Sequence, residues 1–184
     1  LLGGETAEHP GIMAPDAVDL AGAVMGVVEW GEELGPHRVQ SGDLVIGLTS
    51  PNLRSNGFSL VRSAMAADVD RHLELLLERS VIYAPSVIAS IETGGVHAAA
   101  HITGGGLAGN LARVLPEGAG AEIDTGSWKP PSVFDLVASH GVERHDMFST
   151  FNMGIGFCLI VDPQTADRVQ AATARHDPTS IGVV

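Results

Sequence analysis

Cysteine is almost absent from this chain. Its single example, Cys158, excludes any internal disulfide and suits a reducing compartment. Aromatic residues make up only 4%, so a core must be built from Ala, Val, Leu and Ile, which the 45% hydrophobic content supplies amply for 184 residues. Positive charge is scarce too: 10 Lys and Arg stand against 22 Asp and Glu, a formal net charge of −12. A surface that negative repels phosphate backbones and anionic lipid, which argues against nucleic acid and membrane surfaces as partners. An anionic substrate can bind only where local donors outweigh the global field. No apolar run reaches the ~18–20 residues that a spanning helix needs, and no basic segment precedes an apolar one in the manner of a leader. The expectation is a soluble, cytoplasmic protein. A Walker lysine motif, a dinucleotide fingerprint and a hydrolase-like order of Ser, His and Asp are all missing. So is an initiator Met: Leu1-Leu-Gly-Gly-Glu5 reads as if cut from the middle of a longer chain.

What is present is an alternation of helical and extended patterns. A Pro/Gly loop, residues 9–15, precedes a strand expected over residues 19–29, and residues 31–42 read as a linker. The apolar run 43–48 reads as a buried strand. Phe58, Leu60, Val61 and Met65 recur near helical spacing, and a second helical run follows over 72–79. Beyond it, helices are expected over 86–93, 107–115, 132–139 and 165–176, with extended segments over 96–102, 121–124, 150–162 and 180–184. The class is α+β, a mixed β-sheet covered by helices.

Four segments can carry chemistry. The first is His101-Ile-Thr-Gly-Gly-Gly-Leu-Ala-Gly-Asn110, between an expected strand and an expected helix. Gly104, Gly105 and Gly106 let the backbone take positive φ and approach a ligand, and Thr103 adds a hydroxyl; an anion site at the helix start and a tight turn used only for packing both fit. In the second, Arg54-Ser-Asn-Gly-Phe-Ser-Leu-Val61, Ser55 or Asn56 can cap the following helix and Gly57 leaves room above it. A cap alone accounts for it, but two Gly- and Asn-bearing helix starts in one small domain can face one phosphorylated ligand. In the third, Glu5, Thr6 and Glu8 can hold a cation or orient an amine, or else form a solvated pair on a loop. In the fourth, Thr150-Phe-Asn-Met-Gly-Ile-Gly156, glycines two apart on a strand leave one face flat for a ligand or for close helix packing, and Asn152 can read a ligand amide. His97 and His101 are four apart on an expected strand, ~13 Å between side chains at ~3.3 Å per residue, too far for a zinc pair. Cys158 reads as core packing.

Taken in order, Gly-Gly-Glu-Thr-Ala-Glu8 with Pro10-Gly11, Asp19-Leu-Ala-Gly22, Ser55-Asn-Gly-Phe-Ser-Leu-Val-Arg62, His101-Ile-Thr-Gly-Gly-Gly106 and Thr150-Phe-Asn-Met-Gly-Ile-Gly156 resemble the aminoimidazole ribonucleotide synthetase (phosphoribosylformylglycinamidine cyclo-ligase) family. Arg113-Val-Leu-Pro116, Ser127-Trp128 with Pro131, and Val133-Phe134 extend the likeness, which runs from Leu1 to about Asp162. The resemblance implies a two-domain, homodimeric enzyme that closes the imidazole ring of aminoimidazole ribonucleotide with ATP and Mg2+. Residues 1–40 would be a remnant of its N-terminal ATP-binding domain with the linker, and 41–184 its C-terminal domain. Ser55, Asn56, Gly57, Thr103, Gly104, Gly105, Gly106 and Asn152 would line the cleft for a phosphorylated small molecule. Glu5, Thr6 and Glu8 would sit near ATP and metal, most of whose ligands would precede Leu1; the 184 residues alone are then expected to bind no ATP tightly and to turn over nothing. Three positions depart from the family's pattern: Arg54 for a usual His, Val81 in Arg79-Ser-Val-Ile-Tyr83 for a usual Arg, and Ser149 for a usual basic residue. The alternatives are a degenerate, non-catalytic scaffold homologue, or a sister ATP-dependent enzyme acting on another phosphorylated small molecule.

Overall fold

The computed structural model describes residues 2–184, which divide into two compact units between Glu33 and Leu34. The first unit holds turns and one isolated bridge between Pro10 and Met13, and no helix or extended ladder among its described residues. The strand expected over 19–29 is therefore not formed. A strand exists only where a neighbour satisfies its backbone N–H and C=O groups; nothing pairs with this one, and Val24, Val27 and Trp30 are 95%, 98% and 97% exposed.

The second unit is built on five strands: β1 (Leu44–Thr49), β2 (Val96–His101), β3 (Glu122–Ile123), β4 (Ile155–Val161) and β5 (Thr179–Val183). They lie in the order β2-β4-β1-β5-β3, and every pairing is antiparallel. The α+β class holds; the sheet is antiparallel throughout where a mixed one was expected. Val45 opposes Ile160 and Ile46 opposes Leu159, so alternate residues of β1 and β4 feed opposite faces. On one face Val45, Ala98, Ala100, Cys158 and Ile160 pack with Leu107 and Leu111 of α4 (Gly106–Leu111). On the other, Ile46, Leu48, Leu159 and Val161 pack with Val87 of α3 (Ala84–Ile91) and Ala166 and Val169 of α7 (Ala166–Ala172). Pro85 lies in the first turn of α3, where a missing N–H costs nothing. A third cluster contains no strand residue: Val61 of α1 (Phe58–Ala64), Leu76 of α2 (Leu73–Leu76), Phe134 and Val137 of α5 (Ser132–Ser139), and Met147 of α6 (Arg144–Thr150) gather round Phe151.

Two segments differ from the sequence reading. The stretch 150–162 is not one strand: α6 runs to Thr150, a turn with Met153 and Gly154 at φ 50 and 95 follows, and β4 starts at Ile155. Helix α6 is poor in strong helix formers, and tertiary packing of Met147 and Phe151 decides its conformation. The region expected to be a helix over 165–176 splits into α7 and a 3-10 turn, Ala174–His176. Part of the expected linker is also tied down. Gly35 donates to the His97 carbonyl at 3.0 Å, and Asp43, 3% exposed, accepts from Gln40 N at 2.8 Å and pairs with His97 Nδ1 at 2.7 Å.

Candidate functional site

The β1 strand delivers the chain into the turn 50–57, and β2 delivers it into the turn 102–106. Gly57 precedes α1 at φ 77 and Gly105 precedes α4 at φ 95, both in the left-handed region that glycine adopts freely. Neither Ser55 nor Asn56 caps α1 through its side chain; the cap residue is Gly57 itself. The two turns abut: a side chain begun at Gly104 would lie 3.8 Å from Asn56 Oδ1.

Both turns rest on the end of α6. A Cβ at Gly57 would fall 2.2 Å from Cε1 of Phe151, and one at Gly106 would fall 2.0 Å from the Phe148 carbonyl oxygen. Glycine is thus required at Gly57 and Gly106 by space as well as by φ. The backbone N–H groups of Ser55, Asn56, Gly57, Gly104 and Gly105 have no acceptor among the described residues. Ser55, Gly104 and Gly105 are exposed, while Asn56, Gly57 and Thr103 are half-buried. The arrangement is a shallow cleft with unused donors on both walls, suited to oxygen atoms of an anion.

Three side chains make the frame, and sequence reading missed two of them. Asn110, 3% exposed, accepts from Thr103 Oγ1 at 3.1 Å and donates to the carbonyl of Gly106 at 2.7 Å, holding the glycine turn from inside α4. The Thr103 hydroxyl proton is therefore spent inside the protein. Asn52, fully buried, donates to the carbonyls of Glu78 and Arg79 at 3.1 and 2.7 Å and accepts from Arg54 N at 3.0 Å. Its place after Ser50-Pro51 is the one signal that marked it, since Asn in such a turn bonds nearby backbone. Asn152, expected to read a ligand amide, is buried with both amide atoms taken: Nδ2 donates to the Asn52 carbonyl at 3.0 Å and Oδ1 accepts from Gly154 N at 2.7 Å. It braces the turn instead of facing a ligand. Gly154 and Gly156 do not share a strand face; Gly156 makes room for Tyr83, whose Oη lies 2.2 Å from the place of a Cβ.

Arg54, at φ 60, turns back under the cleft. Its Nη1 donates to the Gly156 carbonyl at 2.6 Å, its guanidinium lies 5.6 Å from the Tyr83 ring centre, and its Nη2 meets Nε2 of His101. Guanidinium nitrogens are only donors, so Nε2 of His101 must accept and the ring proton sits on Nδ1. Burial, and then the charge of Arg54, hold the His101 pKa below its ordinary value. A guanidinium cannot act as a base, so this position offers no acid/base group. Ser149 is exposed and donates to the Asp146 carbonyl at 3.2 Å. Val81 is half-buried beside a separate cavity that also contains Lys129 and Arg175.

Glu5, Thr6 and Glu8 lie on an exposed coil of the first unit. No cluster of three or more His, Cys, Asp or Glu that could hold a metal ion is found among the described residues. His97 and His101 are separated in role, with His97 on Asp43 and His101 on Arg54. Burial pushes the Cys158 thiol well above its ordinary range, as a packing residue requires. No helix is long and apolar enough to cross a membrane among the described residues.

Comparison with known proteins places the chain in a family. The chain is 44% identical to phosphoribosylformylglycinamidine cyclo-ligase of Bacillus subtilis over 96% of its length, and 43% identical to that of Exiguobacterium sibiricum over its whole length. The match to the Sorangium cellulosum cyclo-ligase is 44% over 95% of the chain. These alignments cover 55%, 58% and 55% of the relatives, so the chain spans little more than half the length of the curated proteins it matches. Among solved structures, Escherichia coli HypE, a hydrogenase maturation protein, shares the fold at a TM-score of 0.56 and 21% identity, over 83% of this chain and 46% of that one. Residues 40–184 match the family described as AIR synthase related protein, C-terminal domain, and with β1 to β5 and the paired glycine turns all inside that range, the chain belongs to this family.

Proposed function

We propose that this chain supplies the substrate-cleft half of an ATP-dependent cyclo-ligase that closes formylglycinamidine ribonucleotide to aminoimidazole ribonucleotide in purine synthesis. The observation that carries the reading is the meeting of the turns 54–57 and 103–106, with Gly104 against Asn56 and unused N–H groups on both. In the reaction this family name denotes, ATP supplies activation of the formyl oxygen as a phosphate leaving group, after which the amidine nitrogen attacks and phosphate departs. What the chain's own residues contribute is positioning and charge neutralisation, which such chemistry needs more than a side-chain nucleophile. Ser55, Asn56 and Gly57 on one wall and Gly104 and Gly105 on the other would hold the phosphorylated substrate through backbone donors, with Thr103 and Gly106 shaping the second wall. Asn52, Asn110 and Asn152 would keep those donors in place. Residues 1–40, with Glu5, Thr6 and Glu8, would belong to the ATP-binding domain, whose remaining length would carry the ATP and magnesium ligands and the homodimer contact.

The replacement at Arg54 favours a second reading, a homologue whose cleft binds without reacting, because a guanidinium consumed by Gly156 and His101 cannot shuttle a proton. One experiment separates the two. The full-length protein is expected to release ADP in a magnesium-dependent way when given formylglycinamidine ribonucleotide, while the 184-residue chain is expected to release none. Full-length protein that binds the ribonucleotide in a calorimeter but releases no ADP establishes the non-catalytic reading; turnover by the 184 residues alone refutes the division of labour proposed here.

A further inference from the structure

Lys129 is the sole lysine of a chain in which acidic residues outnumber basic ones by more than two to one. It lines a cavity of about 430 Å³ together with Thr49, Ser50, Arg175, His176 and Asp177, none of which belongs to the cleft of the paired glycine turns. Neither Lys129 nor Arg175 takes part in an ion pair among the described residues. Two long cations from segments 46 residues apart thus converge on one recess without a carboxylate bound to either, although Asp177 also lines the wall.

The recess is firmly built. The Thr49 hydroxyl donates to the His176 carbonyl at 3.0 Å, which ties the end of β1 to the 3-10 turn. The His176 ring lies 4.9 Å from the Tyr83 ring, and Asp177 takes φ 44, which fixes the direction in which the segment leaves. His176 is 5% exposed, and its Nε2 is buried without a partner, an arrangement that a protein rarely tolerates without water, ligand or function. The hydroxyls of Thr49 and Ser50 already give their protons to protein carbonyls. The free charged donors in this recess are therefore Lys129 and Arg175, with the unpartnered His176 Nε2 as a third polar group.

We infer that the cavity between Lys129 and Arg175 is a binding site for a compact oxyanion, the phosphate group of a small metabolite. The size suits such a ligand, since small-molecule sites run from roughly 300 Å³ upward. Extended polyanions are disfavoured because the net charge of −12 repels them beyond the reach of two local cations. The inference stands apart from the cyclo-ligase reading, since it concerns a different set of residues.

Titration calorimetry of the 184-residue chain in low salt, with inorganic phosphate and with ribose 5-phosphate as probes, tests it. Saturable binding is expected, weakened about tenfold in Lys129→Gln and in Arg175→Gln, as loss of a charge-assisted hydrogen bond implies. Lys129→Arg, which keeps the charge, and Arg168→Gln, at an exposed position of α7 outside the recess, should bind as the parent does. Ribose 5-phosphate binding at least tenfold tighter than phosphate identifies a sugar phosphate as the ligand, and equal affinities identify the free ion. Absence of saturable binding up to millimolar phosphate, or binding unchanged in both glutamine variants as an anion seated in the glycine cleft would give, overturns the inference. Circular dichroism of each variant confirms that weakened binding is read on folded protein.

Discussion

The side-chain amide of Asn152 donates to the backbone carbonyl of Asn52 at 3.0 Å, across 100 residues of chain and out of contact with solvent. Asn52 in turn holds Glu78, Arg79 and Arg54, so a single pair of asparagines fixes the turn that forms one wall of the cleft. Asn152→Ala would leave the Gly154 N–H unpaired inside the protein and the Asn52 carbonyl with the Ser50 hydroxyl as its remaining donor. Each unsatisfied buried group costs about 1–3 kcal/mol, so the unfolding free energy should drop by at least that amount in urea titration. Asn152→Asp is informative beside it, because it keeps an acceptor for Gly154 but sets a buried carboxylate oxygen against the Asn52 carbonyl; at neutral pH it should destabilise at least as much as alanine.

Gly106→Ala should be among the most damaging single changes in this chain. The new methyl would overlap the Phe148 carbonyl, and φ at this residue is 65. Non-glycine residues at such φ cost about 1 kcal/mol or more before any overlap is counted. By contrast Gly109→Ala, in the same helix with open space round it, should stabilise by about 0.5–1 kcal/mol from helix propensity alone. Opposite signs for the two variants in one thermal-unfolding series would bear out the packing of the turn on α6; equal signs would sink it.

The contrast between those two glycines also marks what the sequence could and could not disclose. Strands β1, β2 and β5 were visible because apolar residues are concentrated or alternate there and polar turns bound them. The glycine turns were visible because three glycines between an extended and a helical pattern leave few other conformations. Asn152 was misread since a buried polar side chain and a ligand-facing one have the same letter; only the approach of Asn52 from 100 residues away decides between them. Helix α6 was hidden for a related reason: its conformation is imposed by Phe134, Phe151 and their neighbours, not by its own propensities. The segment 19–29 erred in the other direction. Its composition suits a strand, but a strand is a property of two chains side by side, and composition records only one.

Asp43 is the anchor of the segment between the two units' residues and β1, with its carboxylate shared by Gln40 N and His97. Asp43→Ala should release residues 34–42 while leaving the five-strand sheet intact. Hydrogen exchange is the measurement: amides of Gly35 and Gln40 should exchange faster, and those of β4 should keep their protection. Uniform loss of protection across β4 would mean that Asp43 supports the whole sheet instead.

Arg54 adds to the burial that holds His101 neutral. Burial is the larger cause of the lowered His101 pKa and the Arg54 charge the smaller. In Arg54→Gln the pKa should rise yet stay below that of an unburied histidine, as followed by the imidazole resonances across pH. The same variant removes the Arg54 bonds to the Gly156 and Ile102 carbonyls, the first of which keeps the Ile102 N–H as a donor, so a loss of about 1 kcal/mol in stability should accompany the shift. A pKa that does not move would show that the guanidinium and the imidazole are not in contact in solution.

Acid should weaken the fold in two separable steps. His101 and His176 both have pKa values lowered by burial, with Arg54 and Arg175 as the next causes. The native state therefore binds fewer protons than the unfolded chain below the ordinary histidine pKa of about 6.5. Stability contributed by keeping these rings neutral is complete above that pH and falls as pH drops through the folded values. Asp68, whose carboxylate is held by His72 and Arg71, has a lowered pKa of its own, and its contribution is lost only at lower pH, below the ordinary carboxylate pKa of about 4. Between pH 7 and pH 5 the thermal midpoint should decline because of the histidines alone, and His176→Gln should flatten that decline. A midpoint that holds level over this window would show that neither ring is kept neutral by the fold.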